Sequence, residues 1–176
     1  VIVLATLPKG AFPHVRDDLI RHVIALWLRW RGERGMPART DIDPVALDAA
    51  LPILWLCDYE ADVDRFRCRL AGEKIDTLHG GLIAGRYVDD ILKSDRVHEV
   101  MGRYKRVVSE PAICHAAGRV YLHKDRRLIG ERILLPLATD GATADGVLGA
   151  TSFRWPTGIP VTEARGELLR LTFTPL

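Results

Sequence analysis

The sequence predicts an α+β domain, an antiparallel five-stranded sheet with helices on one face, preceded by an N-terminal amphipathic helix. Three observations predict it. Two long stretches, Arg16–Arg31 and Ser94–Ser109, carry apolar residues at helical spacing. The strand-like runs fall into two blocks, a hairpin over 53–71 and three consecutive strands after Pro111, so strands and helices are segregated rather than alternating. Between the blocks lie short turns broken by Gly80, Gly81 and Gly85, followed by the second of these helices.

In Arg16–Arg31, Leu19, Ile20, Val23, Ile24, Leu26, Trp27 and Trp30 form a wide apolar stripe, and Gly32 and Gly35 end the helix. Residues 35–44 read as a linker. Asp43 and Pro44 then suit the cap and first position of a short helix over Val45–Leu51. In Arg65–Ala71 the alternation is strict, with Phe66, Cys68 and Leu70 on one face and Arg65, Arg67 and Arg69 on the other. A symmetric turn over 61–64 sets Tyr59 against Phe66, Cys57 against Cys68 and Trp55 against Leu70. It also sets Glu60 against Arg65 and Asp58 against Arg67, so apolar and charged pairs agree in one register. Glu73–Leu78 and Tyr87–Leu92 have the length of single helical turns. Ser94–Ser109 is a full helix, with Ser94 or Asp95 as its cap and Pro111 as its stop. Strands follow over Ala112–Lys124, Arg127–Thr139 and Asp145–Trp155; in the middle one Ile129, Ile133, Leu135 and Leu137 share a face, with Gly130, Arg132 and Leu134 opposite. The organisation expected is a helical extension over 1–36, a domain over 37–155 and a tail over 156–176, with a short helix at Glu163–Leu169.

At 48% hydrophobic, the 176 residues can bury a real core. A net charge of +2, spread along the chain, does not form the clustered cationic surface that nucleic acid requires. No apolar run reaches the ~20 residues of a membrane span. Pro8, Lys9 and Gly10 break the apolar opening too early for a signal peptide, so a cytoplasmic protein is expected. Cys57, Cys68 and Cys114 stand in strand-like runs, outside any disulfide framework or zinc spacing. Gly80–Gly85 has neither the Lys-Ser/Thr of a phosphate loop nor a dinucleotide fingerprint. Ser94, Ser109 and Ser152 lie in no nucleophile elbow. A cone-shaped α+β enzyme with an Asp base is the best enzymatic alternative, but the inward strand positions are nearly all apolar.

The order of elements resembles a PAS domain. At residue level the chain resembles a bacterial family of stand-alone PAS-like proteins. The likeness begins at residues 37–44 (Pro-Ala-Arg-Thr-Asp-Ile-Asp-Pro) and continues through Leu51-Pro52-Ile53-Leu54 and the strand from Phe66 to Gly72. It runs on through Ile75, Gly80 and Gly85-Arg86-Tyr87, and closes with Leu134-Leu135-Pro136-Leu137, Asp140-Gly141 and Val147-Leu148-Gly149. Roughly Pro37 to Phe153 is covered. The motifs are short, and their ordered combination carries the likeness. The resemblance implies a non-enzymatic sensory or regulatory module, acting on a separate signalling protein.

A pocket between the sheet and the helices is expected to be lined by Trp55, Cys57, Phe66, Cys68, Ile75, His79, Tyr87, Met101, Tyr104, Ile133 and Leu135, a lining suited to a small apolar or aromatic ligand. The alternative is an interaction or dimerisation module whose core is filled by the same side chains. A third reading, a haem sensor, would use His79 or His98 as axial ligand, but an imidazole at a helix edge is more often not a ligand, and no cofactor or metal is expected. Cys57 and Cys68 are expected as buried free thiols rather than a redox pair. The apolar stripe of the first helix is expected to be covered by a second copy of itself, in a homodimer through Leu19, Ile20, Val23, Trp27 and Trp30.

Overall fold

A computed structural model describes residues 4–92, 97–123, 126–154 and 169–176. Its core is a six-stranded antiparallel sheet in the order β2-β1-β5-β4-β3-β6. The strands are β1 (Leu54–Glu60), β2 (Arg65–Ala71), β3 (Ala112–His123), β4 (Arg126–Leu137), β5 (Gly146–Arg154) and β6 (Arg170–Pro175). The helices are α1 (Asp18–Arg31), α2 (Glu73–Leu78), α3 (Val88–Ile91) and α4 (Val97–Ser109). The turn expected over Val45–Leu51 falls slightly later, as a 3-10 turn over Asp48–Ile53. The expected cap of α4 at Ser94 or Asp95, Trp155, and the helix at Glu163–Leu169 lie outside the described residues, apart from Leu169 itself.

The α+β class and the antiparallel sheet stand, with two corrections. The sheet has six strands, because Arg170–Pro175, within the segment read as a tail, pairs along β3. An edge strand needs only backbone partners on one side, and its short alternation is a weak sequence signal. The helices cover both faces rather than one. On one face α1 packs with Leu54, Ile113, Ile133, Leu135, Leu137, Leu148 and Ala150. On the other, α2, α3 and α4 pack with Trp55, Cys57, Phe66, Cys68, Cys114, Leu134 and Val147. Alternate residues of β1, β3, β4 and β5 serve the two cores, as the pleat requires.

The position of α1 overturns the basis for the dimer. Ile20, Val23 and Trp27 have no exposed surface within a single chain, and Leu19 and Trp30 at the margins of the stripe also pack on this core. The cover is β4, β5 and the 3-10 turn over Asp48–Ile53, within the same chain. Trp27 Nε1 donates to the Pro136 carbonyl at 2.9 Å, fixing the helix on β4. Asp17 caps α1 by accepting from the backbone N–H groups of Leu19 and Ile20. The helix is thus part of the domain core rather than an arm ahead of it.

Just before α1, Glu131 of β4 accepts from the backbone N–H groups of Arg16 and Asp17, each at 3.1 Å, and lies 2.9 Å from His115 Nε2. Burial pushes the Glu131 carboxyl up, but the His115 contact and these backbone donors outweigh it and leave it below the ordinary 4.5. A depressed folded value means that the group stabilises the fold fully above 4.5 and loses that contribution as pH falls through its own lower value. Glu131→Gln is therefore expected to destabilise the protein at neutral pH and to approach the wild type as the solution is acidified. Urea denaturation of both proteins across that range measures it; a constant difference would show that Glu131 acts through shape alone.

The hairpin register is largely as expected, with Tyr59 opposite Phe66, Cys57 opposite Cys68, Asp58 opposite Arg67 and Glu60 opposite Arg65. A bulge between Leu56 and Cys57 then shifts the register, so Trp55 faces Ala71 and Leu70 faces Leu56. Leu70 is exposed as a result. The ion pairs run diagonally instead of directly across: Arg67 to Glu60 at 2.5 Å and Arg69 to Asp58 at 2.6 Å, while Arg65 turns to Asp89 and Asp90.

Candidate functional site

A cavity of about 40 Å³ lies between the sheet and the helices α2, α3 and α4. Trp55 and Cys57 reach it from β1, Cys68 from β2, and Tyr121 and Arg132 from β3 and β4. Ile75 of α2, His79 just after it, Ile83, Val88, Ile91, Leu92, and Val100 and Tyr104 of α4 close the other side. The volume is well below the ~300–1,000 Å³ of sites for drug-sized ligands, so any occupant is a few atoms in size.

The cavity is organised around Trp55. It pairs across the sheet with Gly149, and the indole lies directly over that glycine, where any side chain would clash with the ring. From there Trp55 Nε1 donates to the Tyr104 hydroxyl at 2.7 Å. Burial holds the Tyr104 phenol well above its ordinary pKa, so it stays protonated and keeps its own hydrogen to donate. The Cys57 thiol is pushed up by its hydrogen bond with Cys68 and by burial, and burial raises Cys114 to about 11. All three thiols are free and buried; the hydrogen bond from Cys57 lowers the Cys68 thiol against the opposing effect of burial, but no cation is among the causes of that shift.

Among the described lining residues Arg132 carries the formal charge. Its Nε donates to Thr151 Oγ1 at 3.0 Å and one Nη to the Val120 carbonyl at 3.1 Å. The guanidinium lies 4.3 Å from the centre of the Tyr121 ring and 5.5 Å from that of Trp55. Among the described residues no carboxylate pairs with it.

Of the expected lining, Trp55, Cys57, Cys68, Ile75, His79 and Tyr104 are brought together around the cavity. Phe66 and Met101 are buried in the same core without reaching it. Tyr87 stands at the hairpin rim, bonded to Glu60 and Arg67, with the Arg65 guanidinium 3.7 Å from its ring centre. In that network the Arg67 hydrogen bond leads in lowering Glu60 to about 2. Ile133 and Leu135 belong to the opposite core, against α1. Both faces of β4 carry apolar residues, and the richer one, with Ile133 and Leu135, receives α1 rather than the pocket. His98 points to solvent on α4, and the His79 ring meets Tyr121 edge-on at 5.8 Å. Arg132, Tyr121 and the α3 residues were missed. An arginine at an inward strand position, between Gly130 and Leu134, was the available signal.

Among the described residues no group of His, Cys, Asp and Glu side chains could hold a metal ion, and no helix is long and apolar enough to cross a membrane. A sheet with short helices closing a small cavity on one face has the architecture of PAS domains, which are generally sensory or regulatory modules. The chain belongs to the PAS domain family, whose family model matches residues 16–152. The match takes in α1, in keeping with its place in the core. No curated protein and no solved structure matches the chain.

Proposed function

We propose that the chain is the receiving module of a regulatory system, and that it binds a small molecule in the cavity bounded by Trp55, Tyr104, His79 and Arg132 and conveys its occupancy to a partner protein. The observation that carries this reading is the Trp55–Tyr104 hydrogen bond beside a charged side chain in an otherwise apolar wall, since a core serving packing alone gains nothing from an arginine. A porphyrin far exceeds the volume, so the reading includes no haem. The small volume favours a second reading, an interaction module with a nearly filled core.

A ligand-observed NMR screen of acidic, neutral and basic fragments separates the two, using the wild type and a Val100→Trp variant that fills the cavity from α4. Hits that bind the wild type and are lost in the folded variant are expected. An absence of hits, or hits indifferent to the variant, would leave the filled-core reading.

A further inference from the structure

We propose that the ligand of this cavity is a small carboxylate anion, a short-chain monocarboxylate, held by Arg132. The inference rests on the ligand-binding reading and adds the chemical class. A half-buried guanidinium is ordinarily matched by a carboxylate, because its charge is costly to remove from water. Here its protein acceptors are a hydroxyl and a carbonyl, both neutral. Those bonds use Nε and one Nη; the other Nη donates to no described residue. Among the described residues the cavity lining contains no Asp or Glu to oppose an anion.

The surroundings select among anions. Trp55 and Tyr121 flank the guanidinium and fix its plane, which suits two-point recognition of a planar carboxylate. The Tyr104 hydroxyl, protonated and with its hydrogen unused by the Trp55 bond, adds a neutral donor on the same wall as the cationic Arg132. Ile75, Ile83, Val88, Ile91, Leu92 and Val100 offer apolar contact, matching a short alkyl tail, and His79 with the thiols of Cys57 and Cys68 completes the lining. The volume restricts that tail to a few carbons.

The test is a titration of the ¹⁵N-labelled chain with propionate and with the isosteric neutral propionamide, in low-chloride buffer. The Trp55 indole N–H and the Arg132 Nε–H resonances report on the site. Saturable shifts at both with propionate are expected, with a Kd on the order of millimolar for so small a ligand. Propionamide should bind roughly tenfold more weakly or worse, and Arg132→Gln should weaken propionate by roughly tenfold or more. Equal binding of propionamide, or undiminished propionate binding by a folded Arg132→Gln protein, overturns the anion assignment and leaves the ligand-binding reading intact. No shift with propionate also overturns it, and the fragment screen then decides the broader reading separately. If Arg132→Gln does not fold, the preference between the two ligands on the wild type decides alone.

Discussion

Trp27→Ala is expected to destabilise the protein by about 3–5 kcal/mol, the usual cost of emptying a large buried aromatic site. The indole is fully buried between α1 and the sheet, and its removal also leaves the Pro136 carbonyl without its donor. Trp30→Ala provides the contrast: Trp30 is only partly buried at the margin of the same stripe, and its loss should cost much less. Equilibrium urea denaturation measures both. Deleting everything before Gly35 should yield no cooperatively folded protein, because it removes α1, which packs on β4 and β5 across one face of the sheet. A truncated chain that still unfolds in one sharp transition, or a Trp27→Ala cost below about 1 kcal/mol, would contradict the packing of α1 on β4 and β5.

Gly149→Ala is the second large effect, expected at about 3 kcal/mol or more from overpacking and a lost buried hydrogen bond. A methyl group at 149 would occupy the space of the Trp55 ring, so the indole must leave Tyr104 or the strands must separate. Either outcome deforms the cavity. Combining Gly149→Ala with Trp55→Leu tests this account, because the smaller side chain relieves the clash and the double mutant should cost clearly less than the sum of the singles. Strict additivity would show that the glycine serves the backbone and not the indole.

How far the sequence was legible follows from what each pattern depends on. The hairpin could be read because two independent constraints, apolar matches and opposite charges, met in one register from Cys57 to Glu60. The bulge beyond Cys57 leaves no comparable mark, and it displaced the expected Trp55–Leu70 pair. α1 and α4 were legible from period alone, but period does not say what covers a stripe. The cover of α1 is assembled from Ile133, Leu135, Leu148 and Ala150, on strands distant in sequence. The same ambiguity misplaced Ile133 and Leu135. A strand buried on both sides shows no polar face, and sequence alone does not say which core each residue joins. Half of the cavity was legible because β1, β2 and α4 carried clear alternation or period. The α3 contribution was not, since four residues are too few to show a period.

The two edges of the sheet are finished differently. The outer side of β2 is occupied: Cys68 N–H donates to the Arg86 carbonyl, Gly85 N–H to the Cys68 carbonyl, and Tyr87 bridges to Arg67. The outer side of β6 pairs with no described strand. A sheet open at one edge only cannot polymerise by head-to-tail strand addition, which needs two complementary free edges. Strand pairing between copies could join β6 only to β6, across a two-fold axis, and would stop at two. Among the described residues the fold thus leaves β6 as the open edge for strand pairing between folded copies.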